Sequence, residues 1–138
     1  IASSVTSTEL GYVSGVTSAI QTQLNAKLTS ASTITDGFTK TFVGTGANGT
    51  YTLRLKIPFA GTITETTSIS SAGTATATFK INTTALGGTA NSVSSSEQSQ
   101  AQASANTFSA GDDINVEITS ASSLTNMTLS VTYTRALA

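Results

Sequence analysis

Residues 127–134, MTLSVTYT, set the fold class, because apolar and hydroxyl-bearing side chains alternate there without a break. The apolar side chains occupy every second position: Met127, Leu129, Val131, Tyr133. Successive side chains of a β-strand point to opposite faces of the sheet. The pattern therefore predicts a strand with one buried face and one face exposed to water.

The same period of two recurs in three earlier stretches, residues 51–57, 74–81 and 114–119. Weaker patterns predict further strands at 39–44, 62–69, 90–96 and 99–105. Glycines fall between these stretches, where turns are expected, and Pro58 is expected to end the strand before it. Many short strands without helical segments between them predict a mainly β head, residues 37–138, folded as an antiparallel β-sandwich, with a jelly roll as the preferred topology.

The composition excludes several functions. The 138 residues include no His, Cys or Trp, and only 9% are charged, with a net charge of −1. The most common general base, the thiol nucleophile and most transition-metal ligands are therefore missing. We expect no enzyme, no cofactor or metal, no nucleic-acid partner and no insertion into a membrane. Because the chain starts with Ile1, we also expect a fragment or a processed product.

Residues 1–36 differ from the head and predict a helical stem with a linker. Residues 29–37, TSASTITDG, are predicted to form a polar connector between stem and head. Residues 17–28, TSAIQTQLNAKL, are rich in helix-forming residues, with Thr17 as a candidate N-cap and Lys27 in the last turn. Apolar side chains at helical spacing form one stripe: Leu10, Val13, Val16, Ile20, Leu24, Leu28. Such a short helix must pack on something. The sequence leaves open whether it packs on its own domain or on copies of itself.

Residues 5–28, VTSTELGYVSGVTSAIQTQLNAKL, resemble a segment of phage tail-fibre and other virion-fibre proteins. The specific matches are Glu9-Leu10-Gly11-Tyr12 and Gln21-Thr22-Gln23-Leu24-Asn25, and Ser14 departs from the Asp that is common in the family. In the family the segment forms short helices around a threefold axis. The resemblance thus implies that the stripe is a trimerisation surface.

Three stretches of the head look like the C-terminal β domains of phage fibre and capsid-decoration proteins: residues 58–63, 108–114 and 129–135. The resemblance implies a homotrimer in the virion, assembled in the bacterial cytoplasm and joined to other capsid or tail proteins through its N-terminal side. From a stem followed by a compact β head, we expect the head to attach to a host-cell glycan. The alternatives are a capsid cement or decoration protein without a receptor, and a bacterial surface adhesin.

Two motifs with a chemical meaning are better explained by turns. Residues 44–49, GTGANG, match a phosphate-binding glycine pattern, but a strand rather than the required helix follows, so we predict a hairpin loop. Gly111-Asp112-Asp113, with Glu117 nearby, is the densest acidic group, and a turn is favoured over a weak cation site.

The remaining side chains of interest divide by predicted face. Tyr51, Phe59, Phe79 and Tyr133 are predicted to lie in the core, and Arg54, Lys56 and Lys80 on the solvent side. Three aromatics are candidate surface contacts: Phe38, Phe42, Phe108. Residues 89–107, small and polar with one charge, predict either closely packed strands or an exposed loop.

Overall fold

The computed structural model describes Thr8, Ile20–Ser30 and Thr33–Leu137. The described residues belong to two compact units, divided between Ser32 and Thr33. In the first unit, helix α1 spans Ile20–Ser30 and carries Lys27 in its last turn, as predicted. The predicted N-cap, Thr17, lies outside the described residues.

The second unit is mainly β, and all of its strand pairings are antiparallel, which confirms the predicted class. Its nine described strands are β1 (Thr33–Thr45), β2 (Gly49–Arg54), β3 (Gly61–Ile69), β4 (Ala72–Ile81), β5 (Thr84–Ala85), β6 (Asn91–Val93), β7 (Gln98–Ala101), β8 (Thr107–Phe108) and β9 (Ile114–Ala136).

Strand β9 is the centre of the sheet. On one side its first half pairs with β2 and its second half with β1. On the other side the same two halves pair with β4 and β3. The short strands then cover the far side, β5 and β6 on β4 and β7 and β8 on β3. Both halves of β9 therefore have a neighbour on each side, and β1 and β2 form one edge.

The register requires β9 to bend back on itself. Arg54 pairs with Ile114 and Thr62 with Thr134, so the chain from Arg54 to Thr62 joins neighbours of opposite ends of β9. That connection reaches at most about 29 Å. A straight strand would separate Ile114 and Thr134 by about 66 Å. The two halves must therefore fold together in a sandwich-like arrangement.

Left-handed backbone conformations mark the bend. Ser120, Ser123 and Asn126 have φ of 53°, 49° and 48°, values that are uncommon for residues other than glycine and typical of irregular, bent strands. Residues 44–48 fix this part of β9 from the edge. The side-chain oxygens of Asn126 and Asn48 accept the amides of Gly44 and Ala121, each at 2.8 Å.

The apolar side chains that alternate along the sequence form one core, which the two halves of β9 share. The inward side chains of β4 and β9 are almost fully buried, including Ala77, Val116 and Val131 at 0% exposure. The residues that alternate with them along each strand, on the outer face, are mostly Thr, Ser and a few charged residues, as predicted. Each fully buried aliphatic side chain contributes about 1.5–3 kcal/mol, so this alternation stabilises the fold.

Three local expectations were wrong. The polar connector predicted at 29–37 is already helix or strand in most of its length, because pairing of Thr33 with Ala136 begins β1 there. Residues 44–49 are not a hairpin loop, since β1 and β2 both pair with β9. Leu55 is 66% exposed rather than inward, because β2 ends at Arg54 and Lys56 adopts a left-handed φ of 44°.

Candidate functional site

The stripe on helix α1 is exposed where it is described. Ile20 and Leu24, one helical turn apart, are 64% and 54% exposed. Leu28 belongs to the helix, but its side chain, like Leu10, Val13 and Val16, lies outside the described residues. Large apolar side chains that share one helix face and remain in water are typical of an interaction surface.

Two of the three predicted surface aromatics lie at the edge formed by β1 and β2. Phe38 and Phe42 are half-buried against the core. The ring of Phe42 meets that of Tyr51 edge-on, with centroids 5.0 Å apart, and the Lys40 ammonium lies 5.1 Å from its centroid. We call this side, with Phe38, Phe42 and Tyr51, the aromatic edge.

Phe108 is not a surface contact, which corrects the prediction. It is 1% exposed and sits in β8, opposite Gly61 of β3. Its ring packs edge-on against Tyr133, with centroids 5.7 Å apart, and against Phe59 at 6.1 Å. Phe108 follows a polar segment, so the sequence gave no indication that its side chain would be buried.

The rings of Phe59, Phe108 and Tyr133 form a cluster that a positively charged side chain contacts. The Arg135 guanidinium lies over Phe59, 4.8 Å from the ring centroid. Phe59 also contacts Tyr133, with centroids 5.5 Å apart. Sequence analysis placed Phe59 and Tyr133 in the core but assigned no role to Arg135. The sequence does show that Arg135 lies two positions after Tyr133, the last inward aromatic of β9, and therefore on the same face of the strand.

Tyr133 has a perturbed acidity. Burial raises the pKa of its hydroxyl, and the nearby Asp36 carboxylate raises it further. The hydroxyl donates a hydrogen bond to Asp36 Oδ2 at 3.4 Å. Arg135 and Arg54 act in the opposite direction, through their positive charge. The phenol therefore stays neutral at physiological pH and acts as a donor.

The acidic group around Gly111 forms a turn, as predicted. Asp112 accepts the Ser109 amide through Oδ2 at 2.8 Å and the Asn82 side chain through Oδ1 at 2.9 Å. These hydrogen bonds hold the pKa of Asp112 below its ordinary value of 3.8. Asp113 Oδ1 accepts the Lys56 amide at 2.8 Å. Within the described residues, no three acidic side chains come together as a possible metal site.

The charged residues predicted on the solvent side lie there. Arg54 and Lys56 are exposed, and Lys80 pairs with Glu117 of the neighbouring strand, Nζ to Oε2, at 2.8 Å. The ion pair bridges β4 and β9 on the outer face.

Sequence analysis missed a buried polar network opposite the aromatic edge. Asn91 and Thr66, both 0% exposed, are joined by a 2.7 Å hydrogen bond from the Thr66 hydroxyl to Asn91 Oδ1. Asn91 Nδ2 donates to the carbonyls of Thr66 and Gln98, each at 3.0 Å, and Gln102 donates to the Thr66 hydroxyl at 3.0 Å. We call this side, built by residues 84–108, the amide edge.

Comparison of the sequence with protein-family models and with curated proteins found no match. Among the described residues, the structure has no helix with the length and apolar character that crossing a bilayer requires.

Proposed function

We propose that the chain is a trimeric fibre module of a bacteriophage virion, in which a helical stem joins copies and a β-sandwich head, with jelly-roll topology, binds a host-cell glycan. The observation that carries the proposal is the exposure of Ile20 and Leu24 on one face of α1. The resemblance of residues 5–28 to virion-fibre stems supports it independently.

The energetics of the helix favour association. Isolated helices shorter than about 12–15 residues are marginal in water, and α1 has 11 described residues. Packing the exposed stripe of three copies around a threefold axis removes apolar surface from water and stabilises each helix. The head then gains as well, because three identical binding surfaces raise a weak affinity through avidity.

The stem is tested by the mass of the protein in solution. Light scattering after size-exclusion chromatography is expected to give a trimer at micromolar concentration. Leu24→Asp places a charge in the stripe and is expected to yield monomers. Thr22→Asp, a charge on another face of the helix, is the matched control and is expected to remain trimeric. A monomeric wild-type chain contradicts the proposal.

The role of the head is tested by what the trimer binds. Attachment to host cells, lost after removal of their surface polysaccharide, is the expected result. Binding to empty capsids and not to cells identifies a cement or decoration protein instead. Binding of neither, by a chain shown to be trimeric, contradicts the attachment role while leaving the stem intact.

A further inference from the structure

An open cleft of about 270 Å³ lies beside Arg135 at one end of the sandwich. Four threonines line it together with this arginine: Thr33, Thr62, Thr107, Thr134. The cleft brings together the beginnings of β1 and β3, strand β8 and the end of β9. Its volume falls just below the range of about 300–1,000 Å³ that holds drug-sized ligands, so it suits one small ring.

The hydroxyls of the cleft are not engaged with one another. Elsewhere on the sheet some threonines do pair across strands, as Thr41 does with Thr128 at 2.9 Å and Thr67 with Ser99 at 2.8 Å. In the described part of the chain, none of the four cleft hydroxyls has a hydrogen-bond partner. They retain donors and acceptors for a ligand.

Arg135 is held in place but left without an acceptor. Its guanidinium lies over the Phe59 ring, 4.8 Å from the ring centroid, and this contact restricts its movement. Its Nε is buried without a hydrogen bond, and among the described residues Arg135 forms no ion pair. An arginine offers five N–H donors in a fork that matches a carboxylate. The Arg135 guanidinium therefore lacks a hydrogen-bond acceptor, which a ligand would supply.

The local charge favours an anion. Among the described residues that line the cleft, Arg135 is the charged one, and no acidic side chain lines it. The Asp36 carboxylate is already engaged with Tyr133 and with the Gly37 amide. A negative ligand group at Arg135 therefore meets a positive charge that no lining side chain neutralises.

We propose that this cleft binds a sugar bearing a carboxylate, of the uronic acid class. The carboxylate pairs with the Arg135 guanidinium, and the ring hydroxyls bond to the threonines. The proposal rests on the attachment role of the head, for which it names the ligand class. A neutral sugar lacks the group that satisfies Arg135, and a simple carboxylate lacks the hydroxyls.

The test is a titration of the full ¹⁵N-labelled chain with sodium glucuronate, followed by NMR. Saturable shifts of the Thr62, Thr107 and Thr134 amides are expected, with a Kd on the order of millimolar. Glucose is expected to produce no saturable shift, and acetate a weaker one. Absence of saturation with glucuronate, or equal responses to glucuronate and glucose, overturns the proposal.

Arg135→Gln is expected to weaken glucuronate binding about ten- to hundredfold, because a charge-assisted pair is lost. Lys56→Gln removes an exposed cation outside the cleft and is the matched control, with unchanged affinity. Where Arg135→Gln does not fold, Arg135→Lys keeps the charge, loses the fork and is expected to lose most of the affinity. Unchanged binding in a folded Arg135 variant overturns the site.

The outcome is separable from that of the fibre proposal. The titration requires neither a trimer nor a cell, so a trimer without glucuronate binding refutes the cleft alone. A monomer that binds glucuronate through Arg135 refutes the stem alone.

Discussion

The amide edge and the aromatic edge of the sandwich are stabilised by different kinds of contact. At the amide edge, short strands are joined by fully buried polar groups such as Asn91 and Thr66, which satisfy one another. At the aromatic edge, the long strand β1 leaves Phe38 and Phe42 half-exposed. A chain poor in large apolar residues can thus complete one edge with hydrogen bonds, whose geometry is strict, and the other with apolar contact, which tolerates change.

The largest expected effect is at the amide edge. Asn91→Leu keeps the branched shape of the side chain but removes its hydrogen bonds with the Thr66 hydroxyl and with the carbonyls of Thr66 and Gln98. Each such bond contributes about 1 kcal/mol, so we expect a loss of about 3 kcal/mol in the free energy of unfolding. Denaturant unfolding at fixed protein concentration measures it.

The control for this substitution is Ser92→Ala, at the exposed neighbour of Asn91 in β6. Its effect is expected to stay within about 0.5 kcal/mol. If Asn91→Leu is as stable as the wild type, apolar packing alone stabilises the amide edge. The proposed difference between the two edges is then wrong.

The aromatic edge is expected to be more tolerant. Phe42→Ser removes a half-buried ring that contacts Tyr51, and we expect a loss of about 1 kcal/mol, less than a fully buried phenylalanine would cost. The same unfolding experiment measures it. Val43→Ser, at a side chain that is 87% exposed, is the matched control and is expected to be near neutral. A loss above that of Asn91→Leu would reverse the ranking of the two edges.

The sequence predicted the apolar half of this architecture better than the polar half. Met127 to Tyr133 alternate so regularly that strand, face and burial all follow from the period. Asn91 and Gln102 lie in a segment of small polar residues, where burial depends on partners more than ten positions away in the chain. Composition cannot show such pairing, which is why residues 89–107 remained ambiguous.

The candidate cleft was even harder to predict from the sequence than the buried polar network. Arg135 lies near the end of β9, on the same face as Tyr133, but the alternation gives no sign of a cleft beside it. Its position over Phe59 depends on the bend of β9, which brings the connection after β2 against the end of β9. That bend is made by serines and an asparagine in left-handed conformations, residue types that signal turns rather than a continuous strand.

A smaller effect is expected beside the aromatic edge at alkaline pH. The pKa of Tyr133 is raised above 10.0 in the folded protein, chiefly by burial. Its contribution to stability is therefore complete below pH 10 and is lost as the pH rises through the folded pKa. Tyr133→Phe is expected to flatten the fall in stability above pH 10. Parallel pH curves for the variant and the wild type would show that this phenol is not coupled to folding.

The smallest expected effect is the acid response of the turn that joins Asn82 to the start of β9. The folded pKa of Asp112 is lowered from 3.8, first by the Ser109 amide and then by Asn82. A lowered folded pKa gives stability that is present above about pH 4 and is lost as the pH falls through the folded value. Asp112→Asn is therefore expected to unfold with a weaker pH dependence below pH 4, as measured by thermal melting between pH 2 and pH 6. Glu97→Gln, at an exposed carboxylate between β6 and β7, is the control, and a response equal to that of Asp112→Asn would assign the acid sensitivity to net charge rather than to this turn.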